Sequence, residues 1–364
     1  MRIAFYSPIT EPQATKASGI SRVCALIASA LERGGNIVDL TPLPRSFDGT
    51  GDAARQAHLF SECENAATNY LEAIALGREP RPDLWFSYHV YYKSPDWIGP
   101  RVAHTLNIPY VIAEGSHAPK RAAGAWALGH EGATKALQAA DRLLAMTRFD
   151  RVCLEWIAAD RVRDLKPFID TAPFARARRA REGKRPQLLA VAMMRNDRKL
   201  ASYRLLASAL GKMAAPVALT IAGDGIHRAE IEHAFRAAPH HQLRFLGAVA
   251  HIDLPALMAD SDIFAWPGLG EAYGLAYLEA QASGLPVVAC SDRGVPDVVV
   301  AGETALLNAP NDIAAYAHNL ERLVADNALR LAMGKKARRF ATQERDISTA
   351  STHLTAILAE LRRA

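Results

Sequence analysis

Residues Gly270 to Ala289 read GEAYGLAYLEAQASGLPVVA, with Glu271 and Glu279 eight apart and Gly274 and Leu275 between them. Leu275, Leu278 and Ala282 fall on one face of a short helix predicted over Tyr273 to Ser283, and Gly284-Leu285-Pro286 stops it. Val287-Val288-Ala289 then reads as a strand buried on both faces. This places Glu271 in the loop entering the helix and Glu279 about two turns along it. A glycine at a helix start lets backbone N–H groups approach an anion closely. Two carboxylates repel phosphate but accept hydrogen bonds from hydroxyls. Phosphate held between hydroxyl-rich ends describes a nucleotide sugar. Two solvated glutamates on an ordinary α/β helix fit the spacing equally well.

Working backwards, Leu188 to Val191, Val217 to Ala222, Leu243 to Gly247 and Ile263 to Trp266 are apolar runs alternating with helical patterns. That alternation predicts a parallel sheet. Arg195 and Lys199 follow the first of these strands, and Gly223-Asp224-Gly225 forms a strand-to-helix turn after the second. The N-terminal half repeats the scheme. Ile3 to Tyr6, a loop containing Ser18-Gly19, a helix from Ile20 to Arg33 and a strand from Ile37 to Leu40 make a βαβ opening. The loop lacks Gly-x-Gly-x-x-Gly, so it reads as a flexible connection or as a backbone facing an anion at a helix start.

Leu84 to Tyr88 runs into HVYYKSPDWIGP, where His89 and aromatics crowd a strand's carboxyl end. That is an acceptor-pocket position in open α/β sheets, although aromatics also serve as packing. Tyr110 to Ala113 ends in Glu114-Gly115-Ser116-His117, and Lys120 and Arg121 add positive charge. Arg142 to Met146 is one more strand. The expected fold is α/β, with two Rossmann-like doubly wound parallel-sheet domains. Residues 1–169 form the first domain, 170–186 a basic linker, 187–340 the second domain, and 341–364 a C-terminal helix returning to the first.

The chain of 364 residues is long enough for two cores, and 50% apolar with 22% charged residues is ordinary for a globular protein. A net charge of +5 favours anionic partners without implying nucleic acid. Arg176 to Arg185 is a solvated linker face, with peripheral contact at an anionic cytoplasmic membrane surface as the alternative. Cys24, Cys63, Cys153 and Cys290 have no zinc or disulfide spacing. No apolar run suits a signal peptide or a membrane span, so the expectation is a soluble cytoplasmic protein. Asp260-Ser261-Asp262 fits turn chemistry, and no metal site is expected. His240-His241 reads as a pair of solvated loop histidines. The oligomeric state is not specified.

The long run from LTIAGDGIHRAEIE through RFLGAV to DIFAWPGLGEAYGLAYLEAQASGLPVVACSDRGVPDVVVAGETALL resembles glycosyltransferase family 4, on the GT-B fold. The family's Glu-x7-Glu motif falls on Glu271 and Glu279. The first half matches through its first strand, Ser18-Gly19-Ile20 and EGSH. The resemblance implies metal-independent transfer, with retention of configuration, from a UDP- or GDP-linked sugar in an interdomain cleft. It implies no further cofactor. The acceptor is a glycan, a lipid-linked molecule or a small molecule. Glu271 takes sugar hydroxyls, Glu279 the ribose, and the amides of Gly274 and Leu275 the pyrophosphate. Arg195 and Lys199 neutralise the departing phosphate, His117 lies near the donor sugar, and Gly19 lets the first loop approach. Gly223 and Leu246 line the donor site, and His89 and Lys120 are acceptor-side candidates. Where the family carries Gly-Arg, this chain has Met193-Met194-Arg195, which displaces the arginine. A nucleotide-sugar epimerase and a non-catalytic sugar-nucleotide-binding protein are the competing classes.

Overall fold

The computed structural model describes residues 1–10, 19–175, 186–195, 198–236, 238 and 240–361. Ser18 and the basic stretch from Arg176 to Arg185 lie outside them. The chain divides into two compact units, one of Met1–Lys166 with Ile347–Ala364 and one of Pro167–Asp346.

In the first unit the order is β1 (Arg2–Tyr6), α1 (Gly19–Arg33), β2 (Ile37–Leu40), α2 (Ala53–Ala75), β3 (Leu84–Tyr88), α3 (Gly99–Leu106), β4 (Tyr110–Ala113), α4 (Ala127–Ala139), β5 (Arg142–Ala145), α5 (Arg148–Ala158) and β6 (Val162–Asp164). The strands form one parallel sheet in the order β2-β1-β3-β4-β5-β6. The central strands are largely apolar and buried on both faces, with Ser87 of β3 satisfied by donating to Asp96. Phe5 stacks on Phe86 at 5.4 Å, while Trp85 packs against Tyr6 on the opposite face. Strand order reverses between β1 and β3, so the carboxyl ends of these two strands border a crevice.

The second unit runs β7 (Gln187–Val191), α6 (Arg198–Lys212), β8 (Ala218–Ala222), α7 (Arg228–Phe235), β9 (Gln242–Gly247), α8 (Leu254–Ala259), β10 (Ile263–Ala265), α9 (Leu275–Ala282), β11 (Val287–Cys290), β12 (Ala305–Asn308), α10 (Ile313–Ala325) and α11 (Asn327–Glu344). Its parallel sheet has the order β12-β11-β10-β7-β8-β9. The switch point here lies between β7 and β10. The last helix, α12 (Ile347–Leu361), belongs to the first unit. Its buried residues Ile347, Ala350, Ser351, Leu354, Ile357 and Leu358 form the stripe that period 3.6 requires. It packs on α1, and Glu360 accepts from Arg142 at 3.1 Å and Arg163 at 3.0 Å.

Two expectations are corrected. His241 is buried: its Nδ1 accepts from the Val217 amide at 3.1 Å and its Nε2 lies 2.8 Å from the Leu210 carbonyl. It ties α6 to the start of β9. The helix expected from Tyr273 begins two residues later, because Gly274 has φ +77° and cannot continue a right-handed turn.

The Asp260–Asp262 turn is structural: Asp262 Oδ2 accepts from the Gln187 amide at 2.8 Å and Ser261 Oγ donates to Leu257 O at 2.9 Å. The cysteines are free thiols, with Cys24, Cys63 and Cys290 buried. Among the described residues no helix is long and apolar enough to cross a membrane, and no group of three or more His, Cys, Asp or Glu side chains is arranged to hold a metal ion.

Candidate active site

The switch point of the second unit gathers Lys199, Trp266 and Glu271. Trp266 directly follows β10 and is buried. Lys199 and Tyr203, one turn apart on α6, both lie on its ring, with Lys199 Nζ 5.5 Å from the centroid and the Tyr203 ring at 4.8 Å. Tyr203 donates to the Ala192 carbonyl at 2.6 Å, which fixes α6 against the end of β7.

Glu271 Oε1 accepts from Lys199 Nζ and, at 3.1 Å, from Trp266 Nε1. The Lys199 and Glu271 side chains are only 25% and 15% exposed. The carboxylate therefore holds two donors in a largely dry setting, where such contacts are strong.

The loop from Gly268 to Gly274 is fixed on several sides. Ser202 Oγ accepts from the Leu269 amide at 2.9 Å, and Asp292 Oδ2 accepts from the Gly270 amide at 2.7 Å. Gly268 and Gly270 both have φ +70°. A Cβ on the first would strike the Tyr277 hydroxyl, and on the second the Arg198 side chain. Gly274 precedes α9 with no side-chain cap. The first amides of α9 are thus the positive end of a helix that bears no acidic residue in its first turn.

Glu279 projects from α9 into the protein and is 1% exposed, so it is not a solvated surface residue. Its Oε1 lies 3.1 Å from Nε2 of His251, a half-exposed residue in the short 3-10 turn before α8. The Phe174 ring packs against the same imidazole at 5.7 Å.

The loops after β7 and β8 are zipped together. The Met194 amide donates to Asp224 O at 2.8 Å and the Ala192 amide to Ala222 O at 3.0 Å. A Cβ on Gly223 would collide with the Ala192 carbonyl, so this glycine permits the close approach of two backbones. Arg195 leaves the zipped segment as an exposed residue, and Leu246 is half-buried on the edge strand β9.

In the first unit, Gly19 opens α1, and a Cβ there would meet no neighbour among the described residues. His89 and Glu114 follow β3 and β4, both with left-handed backbones (φ +66° and +56°). His89 Nδ1 lies 3.1 Å from Glu114 Oε1. Burial acts to lower the His89 pKa, but Glu114 outweighs it and holds the imidazolium above its ordinary range. Asp150, which closes a capping box with Thr147 at the start of α5, is pushed up to about 6 by burial and then by Glu114. His117 is half-buried with its ring 5.3 Å from that of His130. Burial and then His130 hold its pKa below the usual value, favouring neutral imidazole. Lys120 is exposed, and of the aromatics in the stretch around His89, Tyr88 and Trp97 are core residues.

Sequence reasoning missed Trp266 as a site residue and His251 altogether. Trp266 was within reach, since it stands at the carboxyl end of the strand beside the switch point. His251 carried no local signal, because only the fold brings it to Glu279.

Two Rossmann-like α/β units on one chain, with a polar site at the second unit's switch point, are the GT-B fold. Residues 173–340 match the family model "Glycosyl transferases group 1". A sulfoquinovosyl transferase of Arabidopsis thaliana is 34% identical over 157 residues, covering 42% of this chain and 30% of that protein. A glycogen synthase of Mycobacterium tuberculosis is 32% identical over 187 residues, covering 50% of this chain and 45% of that protein. The chain thus spans less than half the length of these curated relatives. The crystal structure of Anabaena HepE in complex with UDP superposes with a TM-score of 0.74 at 16% identity, covering 99% of this chain and 100% of that one. At that identity the likeness is one of fold.

Proposed function

We propose that this protein is a retaining, metal-independent glycosyltransferase that moves a sugar from a nucleoside-diphosphate sugar to an acceptor hydroxyl. The observation that carries the proposal is the Lys199–Glu271 pair on Trp266 at the switch point of the second unit. The group 1 family match supports the reaction class, and the UDP complex of HepE supports a uridine nucleotide as the first donor to try.

In this reaction the bond from the anomeric carbon to the diphosphate breaks as the acceptor oxygen bonds to the same face of the sugar. The acceptor proton passes to the departing phosphate oxygen. Negative charge grows on the diphosphate while the sugar becomes cation-like. Lys199, with Arg195 nearby in sequence, stabilises that anion together with the amides of Gly274 and Leu275. As Lys199 turns to the diphosphate, Glu271 keeps its Trp266 donor and accepts from sugar hydroxyls. Glu279 takes the ribose. Gly223 and Leu246 border the nucleotide side of the same sheet edge.

In the first unit we assign Gly19 and His117 to the donor side, with His117 as a neutral hydrogen-bonding partner. His89 and Lys120 serve the acceptor, a glycan, lipid-linked molecule or small molecule.

The test is a thermal-shift panel of UDP-, GDP- and ADP-sugars, followed by product analysis with and without candidate acceptors. A stabilising donor and an acceptor-dependent product with retained configuration are expected. Rearrangement of the donor without any acceptor would instead identify an epimerase.

A further inference from the structure

Glu279 is 1% exposed, and an ionised carboxylate at that depth needs strong partners to remain charged. It lies within α9, whose backbone amides are engaged in the helix, so its partners come from side chains or from the surface it faces. His251 supplies one from a different segment, 28 positions earlier in the chain, with Nε2 3.1 Å from Glu279 Oε1. An ionised carboxylate only accepts hydrogen bonds, so Nε2 carries the proton and donates it.

The Phe174 ring packs against the imidazole at 5.7 Å, yet the His251 side chain is 46% exposed. The pair therefore runs from the interior to the surface. One end is a buried acceptor, and the other is a half-exposed imidazole.

We propose that His251 is the positioning residue for the donor's ribose. By donating to one carboxylate oxygen, and being itself held by Phe174, it fixes the plane of Glu279 so that the carboxylate accepts from the vicinal 2′- and 3′-hydroxyls. A carboxylate free to rotate would match that diol in only a fraction of its orientations, so the fixed plane raises ribose affinity and sharpens discrimination against 2′-deoxyribose. This inference rests on the nucleotide-sugar reading and adds to it a specificity residue and the ligand group that residue serves.

The test compares wild type with His251→Ala, His251→Gln and Glu279→Gln. Isothermal titration calorimetry measures binding of UDP, 2′-deoxy-UDP, GDP and 2′-deoxy-GDP, with donor KM and kcat measured alongside. Wild type is expected to prefer the ribonucleotide by roughly tenfold or more. His251→Ala should reduce that preference to about twofold or less and raise donor KM by about five- to twentyfold, with kcat changed less than about threefold. Gln at 251 can still donate from its amide and should restore most of the preference, whereas Glu279→Gln should lose it.

A His251→Ala protein that melts earlier but keeps the wild-type ribose preference would show a packing residue only and overturn the inference. Binding of neither UDP nor GDP to wild type, with no shift from any nucleotide sugar, would overturn the nucleotide-sugar reading and this inference with it.

Discussion

Replacing Lys199 with methionine removes the charge while keeping most of the side chain's bulk. In the folded protein Glu271 then retains the Trp266 indole as a donor at 3.1 Å, with only 15% of its side chain exposed. Exposed ion pairs contribute roughly 0–1 kcal/mol, and breaking a fully buried pair costs about 3–5 kcal/mol. At this intermediate burial the expected destabilisation is about 1–3 kcal/mol. For a unit of this size that lowers Tm by about 2–4 °C per kcal/mol.

The effect on transfer should be much larger. If Lys199 stabilises charge on the departing diphosphate, its loss should lower kcat about 10²- to 10³-fold. The cost is not a matter of helix stability: Lys199 stands in the first turn of α6, where the macrodipole disfavours a cation and the turn itself holds no acidic residue.

Differential scanning fluorimetry and initial-rate assays on Lys199→Met, Glu271→Gln and the double variant separate the two effects. The double variant should recover much of the stability, because no unpaired charge remains, while turnover stays low. Wild-type turnover in Lys199→Met, or turnover that returns with stability in the double variant, would refute the assigned role.

Gly274→Ala places a Cβ at φ +77°, 2.9 Å from the Tyr277 ring, and should cost about 1–3 kcal/mol in denaturant unfolding while raising donor KM; unchanged values would remove the case for a required glycine. Asp150 gives a pH dependence of defined sign. Its folded pKa of about 6 exceeds the ordinary value of 3.8, so its stabilising effect belongs to the protonated form and is lost as pH rises from about 4 to about 6. At roughly 1.4 kcal/mol per unit the loss reaches about 3 kcal/mol, and Asp150→Asn should flatten the Tm–pH curve across that window; parallel curves for the two proteins would contradict this. Chelator should leave transfer intact, whereas complete loss restored by manganese would refute metal independence.

The central strands were legible because burial on both faces demands unbroken apolar runs, as in Ile3 to Tyr6 or Val287 to Ala289. The edges were not. β6 is Val162-Arg163-Asp164, three residues with one apolar side chain, and pairs only with β5. The helix of the opening motif was read as one-sided, yet Tyr277, Glu279, Ala280 and Gln281 are also buried. Gln281 is accommodated by donating to Val298 O at 2.7 Å, a partner supplied by a later loop. The Glu271 and Glu279 spacing was visible as a pattern, but their partners Lys199 and His251 lie 72 and 28 positions away. Periodicity has no access to such long-range pairings. His241 was misread for the same reason, since its partners Val217 and Leu210 belong to another stretch of chain.

The return of α12 to the first unit has a consequence for synthesis. The second unit, residues 167–346, is continuous and all of it precedes α12 in the order of translation. The first unit must wait for its final helix, and at ~5–20 residues per second that delay is on the order of 10–40 s. During this interval the α1 surface around Gly34, where a Cβ would sit 2.6 Å from Thr355 Oγ1, has no α12 against it. The nascent first unit thus carries an uncovered helix face while the second is being completed, making that face the expected target of early chaperone capture.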